Sequence, residues 1–293
     1  MVIDMNSIRK LSSVVAAVSR MTDPPTAAYC LGQMALAAPS IIREGHPTPM
    51  GRRLEGRPLN VQCLGTCVKI DGEAFLGALE MYGRRVYFAY PELRIRSGDI
   101  VLDLGANQGL FTLLASRIGA RCVAVEMQSG MLTLIRRNLA VNGCRAEIVH
   151  GLIGSSTGVC SDRARMRAAS HFGSEPPVVT LNDLVKEFRL PRIDFLKIDI
   201  EGSEFDLFGH DAEWLGITRR IAMEVHGPHG DRKESQMCFR RRDSRSAAEP
   251  QHSQRSRCCT CLDTSMRFGR KPRNLPGMET PRQQNNSGMR REV

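Results

Sequence analysis

Apolar residues recur in two rhythms along this 293-residue chain. Between residues 99 and 225, near-continuous apolar runs alternate with segments whose apolar positions return every third or fourth residue, the pattern of buried strands joined by amphipathic helices. Residues 100–104 (IVLDL) predict a strand, and residues 110–118 a helix with Leu110, Leu113, Leu114 and Ile118 on one stripe. A strand over 122–127, a helix over 131–141 striped by Leu132, Ile135 and Leu139, and a strand over 146–153 follow. Thr180, with Asp183 three positions on, reads as the cap of a helix carrying Leu181, Leu184, Val185 and Phe188. Strands over 193–200 and 220–225 then flank a short helix over 203–208. Strand and helix in alternation, with strands apolar on both sides, imply an α/β fold whose parallel sheet is covered on both faces. Right-handed crossovers make it doubly wound.

The rest of the chain is less regular. Residues 6–19 predict an amphipathic helix (Ile8, Leu11, Val14, Val15, Val18), and residues 22–58, rich in Pro, Gly and Ala, predict a poorly ordered linker. Residues 61–70 and 84–90 read as strands around a helix over 73–81. The expected organisation is an N-terminal helix and linker (1–60), a lead-in or cap segment (61–98), the α/β domain (99–230) and a tail (231–293).

Charge supports the last boundary. The whole chain carries 41 Lys+Arg against 31 Asp+Glu, but residues 231–293 hold 15 of those bases and 7 of the acids, so the first 230 residues are close to neutral. The tail also has only Leu262, Leu275 and Val293 as residues of the Val/Ile/Leu type, too little apolar surface to offset the entropy of ordering it, and is expected to be disordered. No uncharged run is long and unbroken enough for a spanning helix, because residues 24–42 contain three prolines, and the start lacks a secretory apolar core. A cytoplasmic protein without membrane association is expected. The ten cysteines lack the spacing of a tetrahedral zinc site, and no ligand pattern demands any other metal.

In an open parallel sheet the ligand crevice lies at the carboxyl ends of the strands. Here the first strand ends in Asp103-Leu-Gly-Ala-Asn-Gln-Gly109, a turn whose glycines let the backbone approach a ligand. The second strand carries Glu126, an acid placed to accept hydrogen bonds from ribose hydroxyls. The spacing G-x-x-x-G is not the G-x-G-x-x-G of a pyrophosphate site, and an acid beside the turn would repel phosphate. It suits a ligand with an amino group and a sulfonium, S-adenosylmethionine.

Residues 101–112 (VLDLGANQGLFT) resemble the first motif of the FkbM-type S-adenosylmethionine-dependent methyltransferases, and residues 193–204 (IDFLKIDIEGSE) are similar to that family's fourth strand; residues 180–184 fit its lead-in. The resemblance covers about residues 99–226. It implies a Rossmann-like, mainly parallel sheet of the class I methyltransferase type and methyl transfer to a hydroxyl of a sugar or natural-product-like small molecule. It places Asp103, Gly105, Ala106, Asn107 and Gly109 around the methionine end of the cofactor, Glu126 on the ribose, and Met127 and Leu152 against the adenine. Leu152 reads equally well as a core leucine.

An alkyl hydroxyl is a poor nucleophile, so a base would lower the barrier. His226, after the fifth strand, is the first candidate, since its ordinary pKa suits the task; a satisfied strand-end histidine is the other reading. Asp199 is the alternative and Glu201 its neighbour, while Glu204 reads as an acid favoured by a helix N-terminus.

Two other functions compete. A nucleic-acid methyltransferase would explain the basic pI, but the chain has Asp199-Ile-Glu-Gly where base-modifying enzymes carry an N/D-P-P-Y run, few aromatics, and acids at the cleft. A shifted reading frame beyond residue 230 would give a cofactor-binding chain without activity. No strand-forming run follows residue 230, so the sheet is expected to lack its C-terminal strands, and a frameshift there would leave the fifth strand as an open edge.

Overall fold

The computed structural model describes residues 5–44, 47–154, 176–200, 204–208, 213–225, 235–240 and 262–263. Its centre is a parallel sheet formed by β3 (Ile100–Leu104), β4 (Arg121–Glu126), β5 (Glu147–His150), β8 (Phe195–Ile198) and β9 (Arg220–Val225), in the spatial order β9-β8-β3-β4-β5. The order reverses between β3 and β8, so helices cross to opposite faces on the two sides of that line. α5 (Leu110–Ile118) and α6 (Ser129–Val141) cover one face; α7 (Leu181–Glu187) and a 3-10 turn at Glu213–Ile217 cover the other. This is the Rossmann-like doubly wound fold that the sequence pattern implies.

The strands divide their side chains strictly between two cores. Ile100, Leu102 and Leu104 of β3 pack with Leu196, Ile198, Leu181, Leu184 and Trp214 on the α7 face. Val101 packs with Phe111, Leu114, Ile135 and Phe195 on the α5 face. That second core continues without a break into the N-terminal third, through Ala17, Met21, Cys30, Leu54, Ile70, Phe75 and Phe88.

The N-terminal third differs from its sequence reading. α1 spans Met5–Met21, close to the expected helix. The expected linker is instead α2 (Pro24–Glu44) and α3 (Thr48–Leu54). The prolines misled: Pro24 and Pro25 occupy the first helical positions, where no N–H donor is needed, and the Asp23 carboxylate caps the end by accepting from Thr26 N at 2.8 Å. Residues 61–70 do not form one strand. They lie in a hairpin of β1 (Pro58–Cys63) and β2 (Thr66–Asp71), turned at Leu64 and Gly65, both with positive φ. A helical segment follows as a 3-10 turn (Gly72–Ala74), α4 (Phe75–Ala78) and a π turn (Leu79–Gly83). The strand expected over 84–90 is absent. Arg85 sits at φ 59° and Phe88 N donates to its carbonyl, a turn that sends the Tyr87 and Phe88 rings inward.

Two further differences lie at the sheet's margins. The expected third strand breaks at Gly151, and β6 (Leu152–Ile153) leaves the main sheet to pair with β7 (Val178–Val179). The expectation that no strand follows residue 230 is also corrected. β10 (Ser235–Arg240) runs antiparallel along β9, and β11 (Leu262–Asp263) pairs with β10. Ladder formation uses backbone groups, so the edge of β9 can be paired by a segment poor in aliphatic residues. Most of the tail, and residues 155–175, lie outside the described residues. Among the described residues no helix is long and apolar enough to cross a membrane.

Candidate functional site

The amino edge of the sheet is electrically settled. Asp194 pairs with Arg192 at 2.8 Å and Arg219 at 2.9 Å, and Asp99 with Arg220 at 2.6 Å. The carboxyl edge is where acids line open space.

There the turn after β3 is built from backbone contacts. Gly105 N and Ala106 N both donate to Val125 O at 3.0 Å, and Gly109 N to Ala106 O at 2.8 Å. Gly105 has φ +74°, and a Cβ on it would fall 1.8 Å from Asp199 O. The glycine turn and the end of β8 therefore touch backbone to backbone, and only glycine permits it. Glu126, the last residue of β4, is buried with both carboxylate oxygens fixed: Oε2 accepts from Asn107 N at 2.7 Å and Oε1 from Gln128 N at 2.8 Å. Burial raises its pKa, against the lowering effect of those two N–H groups and of Lys197. It lines an open space of about 540 Å³ with Gly105, Asn107, Met127, Leu152 and Ile153.

Asp103 does not line this space or the one beside it. It is the next-to-last residue of β3 and points into the α5 core, fully buried. Its Oδ2 accepts from Thr112 N at 3.2 Å and Thr112 Oγ1 at 2.7 Å, and its Oδ1 lies 3.3 Å from Lys197 Nζ. Among the described residues Oδ1 accepts no directed hydrogen bond, so its contact with Lys197 is Coulombic. Asp103 and Lys197 are register partners on adjacent strands, flanked by Ala124 and Ala222, small enough to leave room for the pair. Lys197 Nζ also donates to Gly105 O at 2.6 Å and lies 3.7 Å from Asp199 Oδ2. Burial pulls the ammonium's pKa down, but the Asp103 and Asp199 charges outweigh it and the net shift is upward. The Asp103 carboxylate thus reaches the turn through Thr112 and Lys197, with its side chain away from both open spaces.

A second open space of about 930 Å³ adjoins the first and shares Gly105, Asn107 and Asp199 with it, so the two form one cleft. Its wall includes Glu80, Tyr87, Gln108, Lys197 and Glu224. Tyr87 Oη lies 2.9 Å from Asp199 Oδ2 and 3.3 Å from Glu224 Oε2. The Asp199 side chain is 28% exposed, and no hydrogen bond to its Oδ1 is found among the described residues. Ala106 and Gly109 complete the turn; Gly109 has φ +74° and packs against Ile135. His226 and Glu201 lie outside the described residues. Glu80, Tyr87, Lys197 and Glu224 are wall residues that sequence reasoning did not assign. Glu224 carried a usable signal, an acid near the end of a strand parallel to β8, whereas nothing in its sequence neighbourhood marked Tyr87. Among the described residues no group of three or more His, Cys, Asp or Glu is placed to hold a metal ion.

Comparison with known proteins bears on this cleft. The family model described as the methyltransferase FkbM domain matches residues 103–252, running past residue 230 and across β10. The chain is 26% identical over 189 residues to the methyltransferase sdnD of Sordaria araneosa, covering 50% of this chain and 73% of that protein. It is 27% identical over 203 residues to the 31-O-demethyl-FK506 methyltransferase FkbM of Streptomyces tacrolimicus, covering 54% and 77%. Among solved structures it is similar to the C-terminal domain of a precorrin-6Y C5,15-methyltransferase from Rhodobacter capsulatus, at 17% identity and a TM-score of 0.33, covering 48% of this chain and 61% of that one. A methyltransferase from Thiobacillus denitrificans in complex with S-adenosyl-L-homocysteine is also similar, at 17% identity and a TM-score of 0.27, covering 45% and 44%. Matched over slightly more than half of its length, the chain belongs to the FkbM methyltransferase domain family, and its chemistry is methyl transfer.

Proposed function

We propose that the cleft binds S-adenosylmethionine and that the protein transfers its methyl group to a hydroxyl of a sugar or natural-product-like small molecule. The observation that carries the cofactor assignment is Glu126. Its carboxylate is held by two backbone N–H groups at the end of β4, yet each oxygen retains lone pairs for the hydroxyls of a ribose. Met127, Leu152 and Ile153 give the same half of the cleft an apolar wall for a purine, and the Gly105 to Gly109 turn bounds it beside the neighbouring space. These residues fit the nucleoside part of that cofactor.

When bound, the cofactor supplies an already activated sulfonium methyl, so the protein's task is to align an acceptor and take up its proton. We assign this role to Asp199, which lines both spaces. Its Oδ2 is held by Tyr87 and faces Lys197, which leaves Oδ1 to accept the hydroxyl proton as the new C–O bond forms and the S–C bond breaks. The Streptomyces tacrolimicus relative is a 31-O-demethyl-FK506 methyltransferase, which supports a hydroxyl acceptor.

Calorimetric titration with S-adenosylhomocysteine tests the cofactor reading. Binding that weakens about tenfold or more in Glu126→Ala supports it, as expected for losing hydrogen bonds to a charged group. No binding, or binding untouched by that change, refutes it.

A further inference from the structure

We propose that Tyr87, which lies ahead of the family-matched span, is a positioning residue of the transfer site: its phenol ties Asp199 and Glu224 together and so fixes an anionic wall where the methyl-bearing part of the cofactor meets the acceptor. The inference rests on the cofactor reading above.

Three separate stretches of chain converge here. Asp199 follows β8, Glu224 lies in β9, and Tyr87 comes from the irregular segment after the π turn. Two carboxylates on neighbouring strands repel unless something lies between them. A phenol carries a single proton, so Tyr87 can donate to only one carboxylate at a time, and its oxygen lies within reach of both, at 2.9 and 3.3 Å. That proton stays in place, because burial and then the charges of Asp199 and Glu224 drive Tyr87 ionisation far above its ordinary range.

The ring is held independently of these contacts. Tyr87 meets Phe111 edge to face at 5.9 Å between centroids; Phe111 in turn stacks on Phe88 at 5.5 Å and leans on Phe195 at 5.3 Å. The hydroxyl is therefore aimed by a packed aromatic cluster, which lets it impose positions on the acids rather than follow them. Among the described residues the same wall carries Glu80, Asp199 and Glu224 with Lys197, whose ammonium also donates to Gly105 O and contacts Asp103. A wall of that charge favours a cation beside it and disfavours acceptors bearing phosphate or carboxylate near the reacting hydroxyl.

The test compares S-adenosylhomocysteine with sinefungin, in which a carbon bearing a protonated amine replaces the sulfur and its methyl, on the full chain and on Tyr87→Phe. Wild type is expected to prefer sinefungin. Tyr87→Phe keeps the ring and should hold S-adenosylhomocysteine within about twofold while its preference for sinefungin drops about tenfold, the scale of a lost hydrogen bond to a charged group. A preference that is unchanged or rises overturns the inference alone. A wild type that binds neither ligand overturns the cofactor reading and this inference with it. Should Tyr87→Phe fail to fold, 3-fluorotyrosine at position 87 reports directly. Its fluorine resonance is expected to move on adding sinefungin and to stay put with S-adenosylhomocysteine, and a resonance that ignores both overturns the proposal.

Discussion

The two halves of the cleft are built by different means. The half containing Glu126 is local: a turn and two strand ends, tied by backbone N–H groups to one carboxylate and to Val125 O. The half containing Asp199 is assembled from side chains of distant segments, with Glu80 and Tyr87 supplied by residues ahead of the family match. A backbone cradle suits a ligand part that never changes. A side-chain wall can be altered at one position without disturbing the turn, which is what varying acceptors demand.

The largest expected effect breaks the link between the halves. Lys197→Met removes the cation from buried Asp103, leaving a charge uncompensated, and should cost about 3–5 kcal/mol of stability by denaturant unfolding. Replacing both partners with apolar residues of similar volume should recover much of that loss. If the single change costs less than about 1 kcal/mol, the two halves do not share this support. The pair also has a pH signature. Because the Lys197 pKa is raised in the folded protein, its contribution is complete below the ordinary lysine range, about pH 10, and is lost as pH rises through the folded value. Wild type should therefore destabilise in alkali more steeply than the doubly replaced protein.

Glu126→Gln separates binding from stability in the backbone half. Affinity for S-adenosylhomocysteine should fall about tenfold. The raised Glu126 pKa means that the folded protein carries the ionised acid at a cost at neutral pH, a cost absent below the ordinary glutamate pKa of about 4.3. The variant escapes that cost but turns an NH2 group toward one of the two backbone N–H donors, so its melting temperature relative to wild type should be highest near pH 7 and fall as pH approaches 4. A Gln protein that binds equally well would show that the backbone half does not read the ribose.

The smallest effect is a control away from the cleft. Thr180→Ala removes the cap that accepts from Asp183 N at 3.0 Å and should cost about 1 kcal/mol by thermal melting, with ligand binding unchanged.

These halves were also unequally readable. Ile100–Leu104 and Leu110–Ile118 follow from apolar runs and a 3.6-residue stripe because burial on both sides leaves no other pattern. Glu126 was legible as a strand-end acid, and the Thr180 cap from one hydroxyl and one acid. Asp103 was expected at the cofactor by the same logic, and its side chain is buried in the core. It sits one residue short of its strand's end, and alternation turns it into the core. Sequence could not fix that parity, because Lys197, the partner that makes burial tolerable, is 94 positions away. Tyr87 was beyond reach for a related reason: it stands in irregular backbone, where no period tells which way a ring points.

The single core on the α5 face has a practical consequence. The family match begins at Asp103, inside β3, yet Phe111 and Leu114 are packed in the same cluster as Ala17, Met21, Phe75 and Phe88. The span that defines kinship is therefore shorter than the span that folds. A fragment trimmed to residues 103–252 would lose part of its central strand and lay bare the aromatic floor beneath the cleft, so the shortest soluble piece must reach back through α1.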